Sequence, residues 1–264
     1  MSNYLHGFDS EEQQRLLDQA GFLAQKIYAG IDFSGCKNLL EIGSGVGAQT
    51  AVLLDLYPDL HITCVDFSES QLQTAKQNLK GKESRVTFVQ QDAQALSLPD
   101  KFDSVFICWA LEHIPSPIKV LEHLKAHLTV GAKIYITEVF NSTFYCFPFS
   151  PGLEKYYQAY NEFQEKSGGN PDVGSQLGNL LNQAGFSSIS TWNQGFFLDQ
   201  SAPEQLKSML DFWKKLLLSG APALLQAGLI SQNEVQAMER EIDLIGQNKN
   251  AVFFYQFVQA FATL

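Results

Sequence analysis

Apolar positions along the chain follow two rhythms. Leu16, Leu17, Ala20 and Leu23 recur at helical spacing, behind Asp9 and Glu12 in capping-box positions, and Gly30 ends the segment. Beyond it, short dense apolar runs take over: NLLEIG, HITCVDF, RVTFVQQD, FDSVFICWAL and AKIYITEVF. The stretches between them, TAVLLDLYP, SESQLQTAKQNLKG and PIKVLEHLKAHL, read as helices. Strands alternating with helices predict a parallel sheet covered on both faces, and runs this apolar suit strands buried on both sides.

After the fifth strand the pattern loosens. NSTFYCFPFSPG reads as a loop, LEKYYQAYNEFQEK as a helix, KSGGNPDVGS as a loop and QLGNLLNQAGF as a helix. SSISTWNQGFFL and AVFFYQFVQAF are two further strands. Between them, Ser201 with Glu204 and Ser231 with Glu234 have the spacing of capping boxes that open two helices. The chain therefore reads as a single α/β domain over 1–264. Residues 1–30 form an N-terminal lid helix, and 140–185 and 203–247 are helical additions over the strand ends.

Composition narrows the partners. With 264 residues and 45% hydrophobic content, the chain can bury a full core. Its net charge of −10 argues against nucleic acid and against an anionic membrane surface, and favours a small-molecule substrate. The four cysteines, Cys36, Cys64, Cys108 and Cys146, form no CxxC pair, and two sit in apolar runs, so reduced thiols are expected. The first residues lack the regions of a signal peptide, and no uncharged apolar stretch has the length of a membrane span. A cytoplasmic protein is expected.

The candidate chemistry starts in LLEIGSGVGAQT, residues 39–50. Gly43, Gly45 and Gly47 lie between a strand and a helix, where glycine lets a ligand touch backbone N–H groups beside a helix N-terminus. Gly43, Gly45 and Ala48 fit the dinucleotide pattern GxGxxA, and Asp66 stands where an acidic residue binds ribose hydroxyls. Taken with Glu41 and Gly47, the same loop reads ExGxGxG. On this loop alone, a nicotinamide dinucleotide and a sulfonium nucleoside both remain open.

Five motifs in order separate them. EIGSGVGAQT, CVDFSESQLQTAK, FVQQDAQAL, FDSVFICWALEHI and LTVGAKIYITE resemble the successive motifs of the class I S-adenosylmethionine-dependent methyltransferases. The resemblance implies a Rossmann-like, seven-stranded, mostly parallel sheet flanked by helices, its last strand antiparallel, with the helical insertions as a substrate cap. It implies S-adenosyl-L-methionine as cofactor. The Gly43–Ser44–Gly45–Gly47 backbone would meet its amino-acid end, and Glu41 its ammonium. Asp66 would accept from the ribose, with Phe67 beside the adenine and Gln71 on the helix that follows. Asp92 would meet the exocyclic amine, with the Ala93 amide on a ring nitrogen, and Cys108 and Trp109 would close the site at the end of strand four. Tyr4, in YLHGF, would fold back over the cofactor.

In open α/β sheets the crevice lies beyond the strand ends. Trp109, His113, Phe140, Phe144, Tyr145, Tyr156 and Tyr160 are therefore candidate acceptor contacts, and their aromatic character suits an apolar or aromatic acceptor or a cation on ring faces. An oxygen or carbon acceptor needs a base, for which His113 and Glu138 stand nearest; a neutral amine does not. Arg15 either pairs with the cofactor carboxylate or rests on a solvated helix face. His123 and His127 share a helix face but lack a third ligand, so no metal is expected. The exposed aromatics of the insertions offer a homodimer contact. Two rivals stay open: an NAD(P)-dependent oxidoreductase on the same sheet, and a non-catalytic partner subunit that retains the cofactor pocket.

Overall fold

The computed structural model describes residues 5–7 and 10–264. The Asp9 capping position and Tyr4 lie outside the described residues.

Five strands in chain order, β1 (Asn38–Ile42), β2 (His61–Asp66), β3 (Val86–Gln90), β4 (Phe102–Cys108) and β5 (Leu128–Val139), pair in parallel in the order β3–β2–β1–β4–β5. Helices α1 (Ser10–Tyr28), α2 (Ala48–Leu56), α3 (Glu69–Asn78) and α4 (Pro117–Lys125) alternate with them. Ser68 caps α3 by accepting from the Gln71 N–H, and Glu69 in its first turn and Lys76 in its last complement the helix dipole. The central strands β1, β2 and β4 are densely apolar because both faces are covered, while β3, at the sheet edge, is half exposed. One core joins Leu40, Ile42, Val105 and Ile107 to α4; the other joins Leu39, Ile62 and Phe106 to Ile27 of α1 and Leu53 of α2.

The remaining elements are β6 (Tyr145–Phe147), α5 (Pro151–Lys166), α6 (Leu177–Gln183), β7 (Ser187–Asp199), α7 (Pro203–Gln226), α8 (Gln232–Gln247) and β8 (Val252–Thr263). Strand β8 runs antiparallel to β5 and also pairs with β7 along its whole length, so β5 and β7 flank it. This is the expected mostly parallel sheet with an antiparallel last strand. An eighth, three-residue strand, β6, pairs with the start of β8, where the sequence reads as a loop. Phe144, just before it, packs on Tyr157, Trp213 and Phe253 and ties this segment to the cap core.

Helices α5, α7 and α8 form that cap. Their core runs from Tyr156 and Tyr160 through Leu210, Trp213 and Leu217 to Ile242 and Phe253. Ser231 and Glu234 form the expected capping box on α8. The Ser201–Glu204 expectation is corrected: Ser201 bonds Asp199 through both its amide and its hydroxyl, and α7 starts after Ala202 with Pro203 in its first turn. Among the described residues, no helix is long and apolar enough to cross a membrane.

Candidate functional site

The glycine turn is locked to the neighbouring strand. The N–H groups of Gly43 and Ser44 both donate to the Val65 carbonyl, at 2.8 and 3.2 Å. Gly43 has φ +71°, and a Cβ there would lie 2.4 Å from the Ala110 Cβ, so the turn packs against the chain leaving β4. Gly47, the N-cap of α2, faces Leu79 and Ala75 of α3 and the following turn. Gly45 differs: the space where its side chain would project is open.

That open space belongs to a cavity of about 500 Å³, well within the range of small-molecule sites. Its walls come from the ends of four adjacent strands. They include Gly43, Ser44 and Gly45 after β1, Asp66 and Phe67 at β2, Asp92 and Ala93 after β3, and Cys108 and Trp109 at β4. Gln71 also lines it. Asp66 holds both turns around it, accepting from the Gly45 N–H and the Ser68 N–H, each at 2.8 Å. Burial pushes its carboxyl above the usual aspartate range, against the pull of these backbone donors. The hydroxyl of Ser44 and the amide oxygen of Gln71 are buried without a partner, two polar groups that a ligand would satisfy. Phe67, two-thirds exposed, stands at the rim, and Asp92 there bonds the Gln94 N–H.

Glu41 is in neither this cavity nor the smaller one beside it. Its carboxylate is buried under the glycine turn and accepts from the Thr50 hydroxyl at 2.6 Å. Burial, reinforced by the charge of Asp66, raises its pKa to about 7. A carboxyl raised in the fold contributes stability that is whole below about pH 4.5 and is lost as the pH climbs through 7. The expected result is a fall of about 3 kcal/mol between acid and alkaline pH from this group. Glu41→Gln keeps an acceptor for Thr50 and flattens that part of the profile in thermal melts run from pH 5 to 9. An unchanged slope would assign the effect elsewhere.

Glu138 lies away from both cavities. It is fully buried at the end of β5, and its Oε1 accepts from the N–H groups of Ala110 at 2.9 Å and Leu111 at 2.7 Å. Its Oε2 accepts from Glu112 N–H at 3.3 Å. Burial and the charge of Glu112 push its carboxyl up. The geometry makes it the anchor of the turn after β4, where Trp109 takes φ +52°, a conformation that a bulky side chain seldom adopts. The Trp109 N–H donates to the Thr137 carbonyl, which fixes the turn from its other side.

This turn divides the large cavity from a smaller chamber of about 90 Å³ under the cap. Trp109, His113, Leu16 and Gln19 line both. Tyr160 also lines the chamber, with Tyr157 and Tyr255. The other aromatic candidates line neither cavity. Tyr156 is fully buried and donates to the Leu217 carbonyl, and Phe144 belongs to the cap core. Phe140 packs at the edge of the core beside β5, and Tyr145 is exposed on β6. Glu112 and Asn141, which follow strands four and five as the crevice reading requires, and His6 from the entry segment also lie on the chamber wall. Arg15, also on that wall, is buried and paired with Glu12 in a bidentate bridge.

Comparison with known proteins adds a family. A methyltransferase domain model matches residues 39–131. A demethylmenaquinone methyltransferase of Clavibacter sepedonicus is 30% identical over 171 residues, covering 60% of this chain and 68% of that one. The chain belongs to the S-adenosylmethionine-dependent methyltransferases. A malonyl-[acyl-carrier protein] O-methyltransferase of Paenibacillus is 28% identical over 69% of this chain and 65% of its own length. Another of that description, from Ilyobacter polytropus, is matched over 40% of its length, so the chain spans from under half to about two-thirds of these two relatives. Among solved structures, phosphoethanolamine N-methyltransferase 2 of Haemonchus contortus, in complex with S-adenosyl-L-methionine, shares the fold. It has a TM-score of 0.56 and 20% identity over 93% of this chain and 52% of that chain. A putative methyltransferase from Bacillus halodurans shares it at TM-score 0.55 and 15% identity, over 93% and 98% of the two chains.

The family's methyl donor fits the large cavity. Asp66 is a carboxylate suited to a ribose diol, Gly45 leaves backbone exposed beside open space, and Ser44 and Gln71 offer unpartnered polar atoms.

Proposed function

We propose that this chain transfers a methyl group from S-adenosyl-L-methionine to a small-molecule acceptor, held in the chamber that adjoins the large cavity. The observation that carries this is the convergence of Gly43–Gly45, Asp66, Asp92 and Trp109 from four strand ends on one cavity. Asp66 is placed to accept from the ribose hydroxyls, Phe67 and Asp92 to meet the adenine, and the glycine backbone with Ser44 to meet the amino-acid end. When bound, the cofactor supplies an activated methyl carbon for in-line displacement. The protein then has to align the acceptor and exclude water, effects worth up to about 7–11 kcal/mol in well-oriented reactions. Trp109 and His113, on the wall common to both cavities, are placed to do this. We place the protein in the cytoplasm, where free thiols such as those of Cys64 and Cys108 stay reduced.

Isothermal titration is the direct test. S-adenosylhomocysteine is expected to bind one site per chain, and NADH and NADPH to give no heat. Binding of a nicotinamide dinucleotide with no response to S-adenosylhomocysteine would overturn the assignment. Turnover of labelled cofactor against amines, phenols, carboxylic acids and thiols then separates an enzyme from a non-catalytic partner subunit.

A further inference from the structure

The chamber under the cap carries a carboxylate that has no lysine or arginine partner among the described residues. Glu112 is 8% exposed and lines the chamber but not the larger cavity. Its Oε2 accepts from the Gln164 amide at 2.6 Å. Among the described residues its Oε1 accepts no hydrogen bond, and His113 Nε2 lies 3.7 Å from it. A buried carboxylate with one oxygen unbonded and no lysine or arginine beside it is costly unless something else supplies a donor or a positive charge.

The other ionisable groups on the wall do not supply it. Arg15 is bidentate on Glu12 and also bonds Gln19. His6 is held uncharged, its pKa pushed well below the usual histidine value by burial and by the nearby Arg15 and His113. His6 Nδ1 lies 2.6 Å from the Ser219 hydroxyl and Nε2 lies 2.9 Å from the Tyr160 hydroxyl.

Hydrogen-bond polarity points the same way. The Tyr157 hydrogen goes to the Asn141 carbonyl and the Tyr255 hydrogen to the Asn141 side-chain oxygen. Both of these phenol oxygens keep only acceptor capacity. The indole N–H groups of Trp109 and Trp213, which also line the chamber, are buried without a hydrogen-bond partner among the described residues. The acceptor oxygens, the aromatic rings and the Glu112 carboxylate of this wall complement a group that brings N–H donors and positive charge.

We propose that the methyl acceptor is a small primary or secondary amine, seated in this chamber as its ammonium with Glu112 as the anchor. The inference rests on the methyltransferase assignment above. The ammonium gives one proton to the Glu112 carboxylate. The freed nitrogen pair then forms the new N–C bond and displaces sulfur, which keeps the electrons of the C–S bond. The methylated ammonium leaves, and Glu112 returns its proton to water past His113, whose side chain is a quarter exposed.

The test uses the full chain, titrated with n-propylamine, propionate and 1-propanol, each with and without saturating S-adenosylhomocysteine, and followed by the fluorescence of Trp109 and Trp213. In the saturated protein n-propylamine is expected to bind at least about tenfold tighter than either probe of similar size, and Glu112→Gln to bring that preference below about threefold. S-adenosylhomocysteine affinity is expected to stay unchanged in Glu112→Gln, because Glu112 does not line the larger cavity. Propionate or propanol binding as well as the amine, no amine binding at all, or a preference untouched in a folded Glu112→Gln protein would overturn the proposal. The wild-type selectivity decides even if the variant fails to fold. Failure of S-adenosylhomocysteine to bind would instead strike the methyltransferase assignment, and the two failures are read from separate titrations.

Discussion

Asp66→Ala is expected to weaken S-adenosylhomocysteine binding by at least about a hundredfold, since two charge-assisted bonds to a ribose diol are worth roughly 1.5–3 kcal/mol each. The loss has a second source. Asp66 is the acceptor for both Gly45 N–H and Ser68 N–H, so alanine leaves the glycine turn and the start of α3 without their common tether. Asp66→Asn separates the two contributions. It keeps an acceptor oxygen for one of the backbone groups but removes the charge, and is expected to fall between wild type and alanine. Isothermal titration reads all three proteins. An alanine variant within about tenfold of wild type would show that the diol is held by other groups.

Glu138→Ala is expected to be the most destabilising single change at the site. It strands the N–H groups of Ala110, Leu111 and Glu112 in a buried turn, each at roughly 1–3 kcal/mol. For a chain of this size each kcal/mol shifts the melting temperature by about 2–4 °C, so a fall on the order of 10 °C is expected in a thermal melt. Glu138→Gln restores part of it, because the amide oxygen still accepts from Ala110 and Leu111. The effect reaches the reaction through Trp109, which the same turn holds in its left-handed conformation between the two cavities. A Glu138→Ala protein melting within a degree or two of wild type would remove this anchoring role.

The parallel half of the fold was legible because β1, β2, β4 and the second half of β5 are buried on both faces and their runs are densely apolar. The donor side of the site was legible for a related reason. Gly43, Gly45, Asp66, Asp92 and Trp109 sit at strand ends, and strand ends can be read from a sequence. Glu138 and Glu41 show what could not be read. Both stand next to the expected crevice in the chain, and both side chains turn inward to partners distant in sequence, the N–H groups of 110–112 and the hydroxyl of Thr50. A carboxylate's direction depends on those partners, and no local pattern records them. The aromatics of 140–160 divided for the same reason. Tyr156 and Tyr160 have the same helical spacing, but one is sealed against Leu217 and the other meets the chamber beside His6. Glu112 had a signal in the sequence, an acid beside a histidine directly after strand four, yet its isolation from any lysine or arginine emerges only once the cap is folded over it.

The cap itself hangs from strands that are already neighbours. β7 and β8 are hydrogen-bonded along their length, and the chain between them, residues 200–251, departs from one and comes back to the other carrying α7 and α8. Lengthening a closed excursion of this kind costs only about 0.6 kcal/mol for each doubling. Its outline can therefore be redrawn with little strain on the sheet beneath, as a glove changes without altering the hand. Over generations, selectivity for what is methylated can drift while the grip on what methylates stays put, in keeping with a family match that ends at residue 131, before the first cap helix begins.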